Sequence, residues 1–478
     1  MAEKLKKGNL YEMEVHDMAF GGKGLSRWET EQGQFIIFIP NTIPGQTISA
    51  RIVKLRKRHA EARLMKVLRS SDLEIETGYQ EVSGAPFATL SMEKQRFYKQ
   101  RDSLDQFSRI GHKEIAEVFT EYIPSPKDWA YRNKMEYSFS AIIWGHEEDK
   151  AIDGFGLGFK RRGMWWCVDD LKKPSGLFDI EFESKLQEIK KYCEASGLTA
   201  WHAPKAHGFF RSMVVRYSFA EDKFLIALQT SSADQGRFDM IDFAGFLDGL
   251  FPMRIAGVIH TVNDHEGDRF DYMEGASRLI SGQDHLFEEL CGLKFKISLS
   301  SFFQTNPASA EKLYTSVIDL SQSLPNEGVI MDLFCGTGTI AQLLARAIKG
   351  PKIIGVDIEE SSISDARMNA HLNGLDDVEF HAADVGKFLA EHPEYKGQIS
   401  TIILDPPRAG IAPKSLVKVI ELNAENIIYV SCNPSTQARD TTILKEAGYV
   451  LTHYHLVDQF PHTSHIEGVA LFSRPVSE

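Results

Sequence analysis

Cys432 lies in Ser431-Cys432-Asn433-Pro434, directly after the apolar run Asn426–Ser431. Pro434 suits a first helical position and Asn433 an N-cap, so the thiol falls just before a helix N-terminus. There the helix dipole favours the thiolate, the nucleophilic form of cysteine. A single cysteine is ordinarily a small buried hydrophobe, but one placed after a central strand and beside a ligand pocket favours a chemical role. Asp405-Pro406-Pro407-Arg408 closes another apolar run, Thr401–Leu404. Its two prolines rule out helix and remove two backbone donors, so a stiff turn presents the Asp405 carboxylate at a strand end. Glu467 opens the short apolar run Val469–Phe472 and reads either as a plain edge charge or as a general base.

A further motif is Asp332-Leu333-Phe334-Cys335-Gly336-Thr337-Gly338-Thr339, where a strand gives way to a helix. Glycines there let the backbone turn tightly and approach a ligand. The third glycine of a dinucleotide fingerprint is missing, which disfavours a pyrophosphate site. Asp357 ends the next strand, 21 residues after Gly336, where a carboxylate can accept hydrogen bonds from both ribose hydroxyls. This pair favours S-adenosylmethionine over a dinucleotide, although the same pattern also occurs as a purely structural turn. Cys335 inside the turn reads as packing, and Cys167, Cys193 and Cys291 show no pairing pattern. His453, His455, His462 and His465 have a workable metal spacing, but no cysteine lies nearby and the expectation is no metal.

The elements that must position these residues follow from periodicity. Over 326–473 strands alternate with helices, with strands at 329–333, 352–357, 378–381, 401–404 and 426–431 and helices near 338–348 and 360–373. The last two runs, 449–457 and 466–472, are too close for a crossover helix and are expected to pair antiparallel. This is an open α/β sheet, whose ligands bind beyond the carboxyl ends of the strands. Residues 8–68 hold short β-prone runs punctuated by glycines and Pro44-Gly45, the pattern of a small five-stranded barrel. Between about 85 and 300 the signal is weaker, with helices expected at 91–110 and 179–196. Strand-like runs lie at 135–140 and 224–229, and a glycine, aromatic and basic patch at 154–162 reads as a turn-rich hairpin.

Composition excludes several classes. With 478 residues, 43% hydrophobic and 25% charged, the chain is long enough for two to four domains with ordinary cores. Five irregularly spaced cysteines exclude a disulfide scaffold and suit a reducing cytosol. The polar, basic N-terminal residues argue against a signal peptide, and no apolar stretch approaches the ~18 residues of a membrane span. The net charge of −12 is unevenly spread: residues 1–70 carry 13 Lys and Arg against 7 Asp and Glu, while the remainder carries 41 against 59. The run Arg51-Ile52-Val53-Lys54-Leu55-Arg56-Lys57-Arg58 fits either a phosphate backbone or a solvated strand face.

Together these motifs resemble the RNA uracil-5-methyltransferase family, whose members make 5-methyluridine in ribosomal and transfer RNA. The likeness rests on Ser301-Phe302-Phe303-Gln304-Thr305-Asn306, the glycine turn at 332–339, the Asp-Pro-Pro-Arg turn at 405–408, Ser-Cys-Asn-Pro at 431–434 and the run 465–472. It implies a C-terminal Rossmann-like methyltransferase sheet over 301–478, a TRAM-like (OB-like) RNA-binding β-barrel over 1–70, and a central α+β RNA-binding region over 71–300. The helix near 91–110 is then expected to pack on the catalytic domain. By this resemblance Gln304, Phe334, Thr339, Asp357, Asp384 and Asp405 contact S-adenosylmethionine, Cys432 is the nucleophile and Glu467 the general base. The implied reaction adds Cys432 to carbon 6 of uracil, methylates carbon 5, and eliminates the cysteine after Glu467 takes the carbon 5 proton. The target base must leave its helix. The barrel head and chain length favour 23S ribosomal RNA over transfer RNA, acted on by a cytoplasmic monomer.

Two departures stand out. Many TRAM-bearing relatives carry a four-cysteine iron–sulfur motif, but residues 72–86 contain no cysteine, with Ser83 and Pro86 at the expected positions. No cluster is expected. Gly468 stands where a more polar residue is common. Three rival readings remain: a nicotinamide-dependent dehydrogenase, a cytosine-5 methyltransferase, which would place a cysteine in the turn held by Asp405, and a non-catalytic RNA-binding protein.

Overall fold

In β1 (Leu10–Glu14) Tyr11 and Met13 are buried and their neighbours face water, the period-two pattern of a sheet covered on one face. β2 (Asp17–Ala19), β3 (Lys23–Thr30), β4 (Gly33–Pro40), β5 (Thr47–Leu55) and β6 (His59–Arg69) follow. They form one sheet in the order β1-β5-β6-β4-β3-β2. The His16 amide donates to the Leu25 carbonyl at 2.8 Å, drawing the chain after β1 onto β3 and curling the sheet around Val15, Ile37, Ile39, Ile48 and Ile52. The short β2 makes six strands where five were expected. The structure, a computed structural model, describes residues 5–30, 33–145, 147, 150–265, 267, 276–325 and 327–475.

The helix Met92–Arg109 begins at Ser91, whose hydroxyl accepts from the Lys94 amide. A short helix, Ile115–Val118, leads from it into β7 (Phe119–Ile123). A seven-stranded sheet follows, with strands β8 (Lys134–Gly145), β9 (Lys150–Arg161), β10 (Met164–Asp170), β11 (Phe210–Ser218), β12 (Lys223–Thr230), β13 (Ile255–Val262) and β14 (Ser277–Gly282). Their order is β10-β9-β8-β11-β12-β13-β14. Phe182, Phe224, Phe243 and Phe251 fill the core beneath it. The helix expected over 179–196 is two helices, Ile180–Ser184 and Leu186–Ala195, divided at Lys185. The glycines of β9 have a packing reason: a Cβ on Gly158 would lie 2.1 Å from the Asp169 carbonyl oxygen. The β9–β10 turn reaches the barrel, where the Arg63 guanidinium donates to the Gly163 carbonyl at 3.3 Å.

A hairpin, β15 (His285–Leu290) and β16 (Leu293–Ser298), precedes the last sheet. That sheet contains β17 (Val329–Leu333), β18 (Lys352–Asp357), β19 (Glu379–Ala382), β20 (Ile399–Leu404), β21 (Asn426–Ser431), β22 (Val450–Val457) and β23 (Glu467–Ser473). With β7 it has eight strands in the order β19-β18-β17-β20-β21-β23-β22-β7. Every residue of β17, β20 and β21 is buried, as parallel strands covered by helices on both faces require. β22 and β23 pair antiparallel, as their short connection dictates. β7 adds parallel to β22, and the helix Met92–Arg109 packs on the helix Pro434–Glu446. The segment 92–123 is therefore built into the C-terminal sheet. Among the described residues no helix is long and apolar enough to cross a membrane.

Candidate active site

The loops beyond the carboxyl ends of β17, β20 and β21 meet the segment 302–305 and the approach to β23 around a cavity of about 500 Å³. Gln304, Phe334, Thr339, Asp405, Cys432 and Glu467 all line it. After β17 the chain turns through left-handed residues, Phe334 at φ 66° and Gly338 at φ 69°. A Cβ on Gly338 would sit 2.4 Å from the Phe380 ring, so only glycine fits there. Gly336 differs, since a Cβ would meet nothing within 4 Å, and its bare backbone faces the cavity. The Phe334 and Cys335 amides donate to the Val356 carbonyl, at 2.9 and 3.2 Å. Asp357 accepts from the Gly336 amide at 2.9 Å and from the Glu359 amide at 3.0 Å, so it ties the turn to the end of β18.

The other loops are fixed in a similar way. Asn433 caps the helix Pro434–Glu446 by accepting from the Ser435 amide, and its side-chain amide donates to the Arg408 carbonyl at 3.0 Å. That contact locks the Cys432 loop to the Asp405 loop. Glu467 is delivered by the segment 458–466, which is held from several sides. Lys99 donates to the Asp458 carboxylate at 2.7 Å and to the Phe460 carbonyl at 2.9 Å. Tyr122 donates to the other Asp458 oxygen at 2.8 Å. The Gln95 carbonyl oxygen accepts from the His462 amide at 2.8 Å, and the His462 ring stacks on Trp129 with centroids 3.6 Å apart.

Electrostatics in the cavity are dominated by crowded carboxyl groups away from water. Glu467 is only 4% exposed; burial first, and then the nearby Asp405 charge, push its carboxyl up to about 8. Burial pushes Asp405 up to about 7. Asp332 is held well above the ordinary carboxylate range by burial and by Asp405, and one of its oxygens has no partner. The expected thiolate at Cys432 is not what this pocket favours. Burial, Glu467 and Asp405 push its thiol up to about 11, outweighing Arg408 and a backbone hydrogen bond that favour the thiolate. A helix end acts within its first turn and contributes a fraction of a charge, whereas two carboxyl groups close by repel a thiolate directly.

Two expected cofactor contacts lie outside the cavity lining. Asp357 holds the glycine turn from behind, and the exposed Asp384 caps the helix Val385–Glu391 by accepting from the Lys387 amide. The cavity fits S-adenosylmethionine nonetheless. The open Gly336 backbone and the apolar Phe334 and Ile340 offer space for an adenosine, and the unpartnered Asp332 oxygen and Asp405 suit a sulfonium cation. The four tail histidines make separate contacts: His453 bonds Thr452, His455 bonds Ser316, His462 bonds Gln95 and Asp128, and His465 bonds Arg408 through Nδ1. Among the described residues no group of three metal-ligating side chains occurs. Gly468 has a steric cause, because a Cβ would lie 2.5 Å from the Gln437 carbonyl oxygen and 2.7 Å from the Tyr454 hydroxyl.

Arg132, Tyr314, Asp332, Arg408, Phe460 and His465 also line the cavity, and the sequence reading gave none of them a part in this site. Asp332, Arg408 and His465 stand inside the quoted motifs. Arg132 and Phe460 lie in irregular segments, where no periodicity marks a side chain as inward.

Comparison with known proteins places this geometry. A family model described as tRNA (Uracil-5-)-methyltransferase matches residues 277–474. An uncharacterized RNA methyltransferase of Clostridium tetani is 32% identical, over 97% of this chain and 98% of that one. One from Caldanaerobacter subterraneus subsp. tengcongensis is 33% identical, over 98% and 100%. The crystal structure of Pyrococcus abyssi tRNA (uracil-54, C5)-methyltransferase in complex with S-adenosyl-L-homocysteine superimposes with a TM-score of 0.69 at 26% identity, covering 97% of this chain and 100% of that one. With a cavity suited to S-adenosylmethionine at the ends of its parallel strands, the chain belongs to the RNA uracil-5-methyltransferase family.

Proposed function

We propose that the chain methylates carbon 5 of one uridine through a covalent adduct on Cys432. The observation that carries this reading is the convergence of Cys432, Glu467 and Asp405, from three different strand ends, on one cavity beside the glycine turn. Carbon 5 of uracil is a poor nucleophile by itself. The Cys432 thiol first loses its proton to solvent, the thiolate sulfur bonds to carbon 6, and the displaced electron pair makes carbon 5 nucleophilic as part of an enolate. When bound, S-adenosylmethionine supplies an electrophilic methyl group. Once carbon 5 carries that methyl, Glu467 takes its proton, and the carbon–sulfur bond breaks to restore the ring and free Cys432. Gln304, Phe334, Thr339, Asp357, Asp384 and Asp405 are assigned to the cofactor side, Asp357 and Asp384 acting through the turns they hold.

The preferred substrate is ribosomal RNA of the 23S type. A basic head of residues 1–70 ahead of a central region, 71–300, supplies RNA-gripping surface beyond the catalytic sheet. Transfer RNA is the second reading, favoured by the Pyrococcus abyssi enzyme, which matches 97% of this chain. Cellular RNA carrying fluorine at carbon 5 of uracil tests both points, because fluorine cannot leave as a proton. A cofactor-dependent protein–RNA adduct that survives denaturing electrophoresis and vanishes in Cys432→Ala is expected, and sequencing the trapped RNA names the target. Absence of any adduct with folded protein would sink the covalent reading.

A further inference from the structure

His465 is the cavity residue for which the sequence suggested only a metal. Its ring lines the cavity together with Cys432, Glu467 and Phe460. The Arg408 guanidinium lies 3.0 Å from its Nδ1. Arginine has only donors, so Nδ1 must accept, and the proton of a neutral imidazole then sits on Nε2. Burial, followed by Arg408, Lys99, Arg132 and Arg162, depresses the imidazole to about 4, which keeps that neutral tautomer at working pH. The His465 amide donates to the Thr463 hydroxyl at 3.1 Å, and the Phe460 ring meets the imidazole edge-on with centroids 6.0 Å apart. Among the described residues Nε2 has no hydrogen-bond partner, and it is not among the buried unsatisfied atoms. It is a donor without a protein partner, on a residue that lines a carboxyl-rich pocket.

We propose that His465 is a catalytic residue that donates from Nε2 to the uracil carbonyl oxygen conjugated with the attacked carbon. This rests on the covalent reading of the site. As the sulfur–carbon 6 bond forms, the carbon 5–carbon 6 π pair moves toward carbon 4 and its oxygen becomes an enolate. A pocket crowded with carboxyl groups opposes that negative charge, and the Nε2–H donor offsets it without any proton changing hands. Arg408 is the positioning residue that selects the tautomer. When carbon 5 takes the methyl group, the electron pair returns from the oxygen and the hydrogen bond weakens again.

The test uses the full-length protein with undermodified ribosomal and transfer RNA labelled with tritium at carbon 5 of uracil, read in single turnovers. His465→Phe keeps the ring volume and removes the donor; His465→Gln keeps an N–H donor and guards against a mere folding defect. The expected result is tritium release slowed at least 100-fold in His465→Phe, with RNA affinity within threefold of the parent. His465→Gln is expected to retain a tenth of the rate or more. A His465→Phe rate within threefold of the parent, or a defect confined to RNA affinity, overturns the proposal. If His465→Gln is as slow as His465→Phe, donation is likewise overturned. The parent protein is run in parallel on fluorine-substituted RNA. An adduct there with an unimpaired His465→Phe rejects the histidine role alone, while no adduct in the parent rejects the covalent reading and this role with it.

Discussion

Cys432 needs its proton removed to attack, yet Glu467 and Asp405 raise the cost of doing so. Both carboxyls are themselves raised, to about 8 and about 7, so at pH 6 all three groups are protonated. The sign follows: raising the pH supplies the carboxylate base and then the thiolate, and the rate climbs. Single-turnover methyl transfer is expected to increase about tenfold per pH unit wherever one proton must leave, across pH 6 to 8. Because Glu467 is ionised at the pH where the thiol titrates, Glu467→Gln removes a repelling charge and lowers the Cys432 midpoint. The pH dependence of iodoacetamide alkylation reads this directly, and an unmoved midpoint would show that Glu467 does not act on the thiol.

At the scale of elements, the base is held by a contact far away in sequence. Lys99 and Asp458 form an ion pair with neither side chain exposed, joining the helix Met92–Arg109 to the segment that delivers His465 and Glu467. Burial holds the Lys99 ammonium below its ordinary range despite Asp458, the sign that desolvation competes with the attraction. Lys99→Met strands a buried carboxylate and is expected to destabilise the protein by about 3–5 kcal/mol. Lys99→Met combined with Asp458→Leu removes both charges and should recover part of that loss. Urea denaturation of the parent, the single and the double variant measures it, and equal stability of the two variants would contradict this account.

Over the whole molecule, charge is segregated. The chain carries −12 overall, while its first 70 residues are basic. Arg51 and Arg63 are cross-strand partners on β5 and β6, and Lys66, exposed like them, lies three residues further along β6, past a bulge and opposite Ser49. Counterion release makes such a face felt as salt dependence. Changing Arg51, Arg63 and Lys66 together to glutamate is expected to weaken RNA binding at least tenfold and to flatten the plot of log affinity against log salt by about 2–3 units. The rate at saturating RNA should stay the same. Filter binding over a salt series checks both, and an unchanged slope would remove the barrel from the RNA footprint.

Much of this was legible because the information is local. Prolines at 406, 407 and 434, glycines at 336 and 338, and the Asn433 cap act through backbone geometry within a few residues, so the motifs stand on the elements that the sequence implies. Period-two and period-3.6 hydrophobicity likewise report which face of an element is covered, and the strands 329–333, 352–357 and 426–431 appear where that pattern places them. The central helix over 179–196 is broken at Lys185, since short-range periodicity says little about where packing interrupts a helix. Tertiary structure alone decided that β7 completes the last sheet, that Gly468 is excluded from bearing a side chain by Gln437 and Tyr454, and that Lys99 reaches Asp458. It also set burial and two carboxyl groups against the thiolate form of Cys432 and gave His465 its tautomer. Strand pairing, steric exclusion and desolvation are sums over neighbours hundreds of residues apart, and those neighbours exist only once the chain has folded.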